Sequence, residues 1–129
     1  MAKAGCGIQL KGSGKDQTVW KLEWTYDGSG NPTIDTTQSD RDPDIATPLA
    51  NGGTGITNIT IPKCSRFWIL SKNLTPATPG TGTNYRFHEV TDKSAVAGTC
   101  KVRFIDTAFA AANPQSGTRY QLTLLLERP

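Results

Sequence analysis

A chain of 129 residues is long enough for one domain with a core of its own, needing no disulfide or metal staples. Its composition is 36% hydrophobic and 19% charged, with 13 Gly and 8 Pro. That favours short strands and frequent turns over helices, because Gly and Pro interrupt regular structure and Thr suits a pleated surface. No apolar run approaches the length needed to cross a bilayer. A scattered net charge of +3 reads as an ordinary solvated surface rather than a nucleic-acid groove.

The charge is nevertheless uneven along the chain. Residues 1–26 carry four Lys against Asp16 and Glu23, residues 27–48 carry five Asp against Arg41, and the remainder is basic again. Met1 to Gly7 lacks the apolar stretch of a signal peptide, so the expected compartment is the cytosol. Cys6, Cys64 and Cys100 are odd in number and lack a C-x-x-C pairing. Cys100, on an apolar strand face, is expected to act as a small hydrophobe; a Cys64–Cys100 bridge is the alternative.

In chain order, Gly7–Lys11 can form a short strand before the Gly12-Ser13-Gly14 break. Residues 1–16, with Lys3, Ile8, Leu10, Lys11 and Lys15, are the candidate for a basic N-terminal arm. Ile8 and Leu10 alternate, as a strand added to a partner's sheet edge requires, and the lysines suit an acidic partner surface. The alternative is an ordinary edge strand of the same domain. Thr18–Thr25 alternates strictly, with Trp20, Leu22 and Trp24 on one face and Lys21 and Glu23 on the other, which is the pattern of a half-buried strand. With Leu22 between them, Trp20 and Trp24 are expected to be buried, in the core or against another subunit or partner, and both are candidate interface residues.

Asp27-Gly28-Ser29-Gly30-Asn31-Pro32 is a turn. It begins like a calcium loop but has Pro32 where Gly is needed and Gln38 where Glu is needed. Residues 33–54 show no apolar period and form a long loop or extended arm, with Asp40–Asp44 expected in solvent; loops of that length are often functional. Ile56–Ile61 is a strand closed by Pro62. Arg66–Ser71 is a continuous apolar run, expected to be a strand buried on both faces. Thr75–Thr83 is a loop, Asn84–Val90 a strand and Ser94–Gly98 a turn. Thr99–Asp106 and Arg119–Glu127 alternate at period two, and the alanines between them suggest one helical turn ending at Pro114.

No catalytic, metal or cofactor constellation is evident. His88 is the lone histidine and reads as a surface or interface residue. Zinc would need more Cys/His ligands. Gly12–Asp16 imitates a phosphate loop but lacks its first Gly, its Ser/Thr and the helix that should follow.

Gly55–Pro62, the apolar Phe67–Leu70, Ala97–Phe104, Ala110–Asn113 and Gly117–Leu126, in that order, resemble small β-rich virion structural proteins of tailed bacteriophages, of the capsid decoration (cement) type. The resemblance spans about residues 53–128 and does not reach Trp20 and Trp24. It implies a non-enzymatic protein on the virion capsid surface, made in the bacterial host cytoplasm. Its partners would be the major capsid protein and its own copies, as a homotrimer, with no nucleic acid, membrane or cofactor. The alternative from another class is a receptor- or carbohydrate-binding head or tail fibre tip, using a loop such as Thr75–Thr83. The strand spacing and the resemblance together predict an all-β fold: an antiparallel β-sandwich, jelly-roll-like, comprising residues 17–129, with less than about a tenth helix. The expected core is Trp20, Leu22, Trp24, Ile59, Ile61, Phe67, Ile69, Phe87, Val102, Phe104, Leu122, Leu124 and Leu126.

Overall fold

The computed structural model describes residues 8–10, 16–77 and 87–128. Among these there are nine strands and no helix: β1 (Ile8–Leu10), β2 (Gln17–Tyr26), β3 (Pro32–Ile34), β4 (Leu49–Asn51), β5 (Ile56–Thr60), β6 (Arg66–Thr75), β7 (Phe87–Ser94), β8 (Thr99–Ile105) and β9 (Arg119–Glu127). All pairings are antiparallel. They form two sheets. The larger runs β1-β2-β9-β6, with β3 also on β2, and the smaller runs β4-β5-β8-β7.

The alternating sequences dictate this arrangement. β2 and β9 bury every second residue, and their register sets Trp20 opposite Leu124, Leu22 opposite Leu122 and Trp24 opposite Tyr120. These inward faces meet Ile59, Cys100, Val102 and Phe104 of the smaller sheet in one core. Side chains this well buried contribute about 1.5–3 kcal/mol each by leaving water. Aromatic rings tie the layers together: Trp24 stacks on Tyr120 with centroids 5.0 Å apart, while Tyr26 and Tyr120 meet Phe104 edge-on at 5.4 and 5.8 Å. The β7–β8 turn closes tightly at Gly98, whose φ is +69°; a Cβ there would lie 2.5 Å from the Ile61 carbonyl oxygen, so glycine is required.

Several expectations change. Ile8–Leu10 pairs antiparallel with Gln17–Val19 of the same chain, the arrangement of the edge-strand alternative. Residues 33–54 are not one free loop. They contain the end of β3 and all of β4, and Asp40 is buried, 4% exposed, because it reaches back to β2. β6 extends to Thr75 and alternates instead of burying both faces. It lies at the sheet edge, so Trp68 is 41% exposed while Phe67 and Ile69 are only partly buried. Phe87 is likewise 40% exposed: on β7, Val90 packs against the core, and the period of two turns Phe87 outward. Residues 107–110 make no helical turn; Ala111 bridges back to Ile105 instead. Cys64 and Cys100 are both free and buried, and lack of solvation pushes the Cys100 thiol up to about 12. Asn84–Arg86, most of the 75–83 loop and Cys6 lie outside the described residues.

Candidate partner-binding surfaces

The outer face of the larger sheet carries the residues that β2, β9 and β6 turn away from the core. Most of its cross-strand rungs are polar. Asn73 donates to Gln121 at 3.0 Å, and Arg119 bridges Glu23, at 2.7 Å, and Asp35. That bridge raises the guanidinium pKa, and Asp35 is held below its ordinary range by the Thr37 hydroxyl first and by Arg119 after it. One rung differs. The registers set Trp68 opposite Leu125 and Leu125 opposite Val19, with Ile8 opposite Val19 at the next position. Trp68, Leu125 and Val19 thus cross three strands in one line, about 10 Å from first to last. Beside them Leu70, at the irregularity in the β6–β9 register, is 52% exposed. Arg66 lies 5.3 Å from the Trp68 ring centroid and pairs with Glu127 at 3.1 Å, so the rung has a charged margin.

β6 and β7, which end their sheets among the described residues, lie on the same side of the sandwich. Lys72 sits opposite the inward Leu122 and donates from Nζ to the His88 carbonyl at 3.0 Å, linking the sheets. His88 Nδ1 and the Tyr120 hydroxyl share a hydrogen bond of 2.8 Å, and the ring packs edge-on against Tyr120. Burial, with Lys72 adding to it, lowers the imidazole pKa. His88 therefore stitches the layers together.

On the opposite side the 35–48 connection crosses between sheets over a cleft of about 190 Å³, lined by Trp20, Ile34, Arg41, Ile45, Ala46 and Pro48 among others. Its floor is apolar. Past Asp42 the groove continues toward Lys63 and Arg128. At the other end of β8, the 106–110 turn projects Phe109, which is 68% exposed.

Of the candidate interface residues, Trp20 and Trp24 are 2% and 0% exposed within the single chain. Both pack into this domain's own core, one of the two placements the sequence leaves open. Ile8 and Leu10 fall on β1, and Lys3, Lys11 and Lys15 lie outside the described residues. Of the exposed apolar residues, Trp68 and Leu70 belong to the run expected to be buried on both faces, and Phe109 is not singled out by the sequence. Comparison with protein families, with curated proteins and with solved structures finds no match for this chain.

Proposed function

We propose that this protein is a structural component of a bacteriophage virion, a decoration protein that docks on the major capsid protein and reinforces the outer surface of the head. The observation that carries the reading is the apolar rung on the larger sheet: Trp68, 41% exposed, in line with Leu125 and Val19, with Leu70, 52% exposed, beside it. A flat sheet face with a central aromatic and a charged margin suits attachment to another protein surface, and repetition over a particle turns modest contacts into strong retention. We further read the sandwich as a shortened jelly roll. What supports this reading is that the chain passes between sheets four times, from β3 to β4, β5 to β6, β6 to β7 and β8 to β9.

Quantitative proteomics of purified particles tests the role. Hundreds of copies per particle are expected; a few dozen would favour a receptor-binding fibre tip, and absence would refute a virion role altogether. The surface is tested separately. Trp68→Ala combined with Leu70→Ser should weaken particle binding by about thirtyfold, the scale of an interface hot spot, with the circular dichroism spectrum unchanged.

A further inference from the structure

We propose that Asn51 is a self-modification site: it deamidates through the Gly52 amide, and the product unlatches the 27–31 turn irreversibly. The inference is independent of the particle-binding reading, which rests on the outer face of the larger sheet. Asn51-Gly52 is the only Asn-Gly pair in the chain, and the fold uses both members. Asn51 ends β4, in the smaller sheet. Its Nδ2 donates to Ser29 O at 3.1 Å and to Asn31 Oδ1 at 3.0 Å, both in the β2–β3 turn of the larger sheet. Its Oδ1 accepts from Gly53 N at 2.9 Å. One primary amide thus latches the two sheets together at this end. Gly52 sits where a Cβ would fall 2.7 Å from Asn58 Oδ1 and 2.8 Å from Ile56 Cγ2, so a larger residue must displace those side chains.

The same pair is prone to chemistry. Asparagine is thermolabile, and glycine after it leaves the backbone nitrogen unshielded and able to turn toward the side chain. Gly52 N, once its proton passes to solvent base, attacks Asn51 Cγ. The Cγ–Nδ2 bond breaks and ammonia leaves, closing a succinimide ring. Water then adds to one of the two ring carbonyls, and cleavage of that C–N bond gives aspartate or, at the other carbonyl, isoaspartate. The closed latch restrains this step. Gly52 N donates to Ile56 O at 2.9 Å, which holds the proton that must leave, while the three hydrogen bonds of the Asn51 amide hold Cγ in place. Reaction therefore waits for the 52–55 turn to open, a local event at lower cost than global unfolding. Afterwards the latch cannot close. A carboxylate in place of the amide presents oxygen to Ser29 O and Asn31 Oδ1, which are both acceptors. Turning the Asn31 amide over does not help. Its Nδ2 donates to Asp27 Oδ2 at 2.8 Å, and reversal would set amide oxygen against carboxylate.

Peptide mapping of the full chain, aged in mildly alkaline buffer, decides the matter, with isoaspartate located by mass spectrometry. Conversion should accumulate at Asn51 ahead of every other asparagine. In the folded protein it should run more than about fivefold slower than in the same chain unfolded in guanidinium chloride, since at least one hydrogen bond must first open. Asn31→Ala, which removes one acceptor of the latch, should quicken conversion in the folded state by about fivefold. Should that variant fail to fold, the ratio of folded to unfolded rates in the wild type still decides. Asn51→Asp, which installs one product, should lower the urea midpoint relative to wild type at neutral pH, and by less in acid, where a protonated carboxyl can donate again. Equal rates in folded and unfolded chains, faster conversion at another asparagine, a folded Asn31→Ala protein that reacts like wild type, or an Asn51→Asp protein as stable as wild type would overturn the proposal.

Discussion

Two hydroxyl groups meet between the sheets where neither has water to turn to. The Tyr26 hydroxyl and Thr57 Oγ1 lie 2.7 Å apart, and both residues are nearly inaccessible, at 3% and 1%. Tyr26→Phe keeps the ring and its contact with Phe104 but strands the threonine hydroxyl. Urea denaturation should show a loss of about 1–3 kcal/mol, the cost of an unsatisfied buried group. His88 offers a second residue-level test. Its pKa is lowered from 6.5, first by burial and then by Lys72, so the unfolded chain takes up this proton more readily than the folded one. Stability from this group is therefore complete above about pH 6.5 and is lost as pH falls through the lower, folded value. Unfolding free energy should decline between about pH 7 and 5, and His88→Gln should flatten that slope. Asp27 and Asp35 have pKa values below 3.8. Their contribution is present above that value and lost only in stronger acid, so it does not overlap the histidine window.

At the scale of elements, the acidic 35–40 segment behaves as a guard on the outer edge of β2. β1 covers residues 17–19 and β3 covers 24–26; between them Lys21 N donates to the Asp40 carboxylate at 2.8 Å, and Ser39 Oγ accepts from Glu23 N at 2.9 Å while donating to Glu23 O. Side chains here replace a neighbouring strand, one way of protecting an edge from unwanted pairing. Ser39→Ala should cost about 1–2 kcal/mol and speed hydrogen exchange at the Glu23 amide, with amides in β8 unaffected. This segment also shows where sequence reading reached its limit. β2, β8 and β9 were legible because half-buried strands write their burial in a period of two, and ten of the core residues named in advance lie in the buried cluster. Asp40 was not legible, since nothing local says that a carboxylate will find a strand's amides. Nor was the position of β6: an apolar run reads alike for a central strand and for an edge strand displaying a docking face. The apolar rung depends on the registers of three strands, and the cleft on a crossing connection, so neither is present in any single segment.

Across the whole molecule the two sides of the sandwich contrast. One carries β1, β3, β4 and the 35–48 connection, and on the other, among the described residues, β6 and β7 are held together by Lys72 and His88. Near the middle of the larger sheet stands β9, pairing along its length with β2 on one side and β6 on the other. A chain ending at Gly117 should show no cooperative thermal transition by circular dichroism, and adding a peptide of residues 118–129 should restore one. The same placement bears on biosynthesis. β9 emerges from the ribosome after the other eight described strands, yet it is the one that β2 and β6 both await. Until it arrives, Trp20, Leu22 and Trp24 lack the strand that completes their sheet, so folding of the sandwich is deferred until the eight preceding strands are out, and the nascent segment must be shielded from its own kind during the interval.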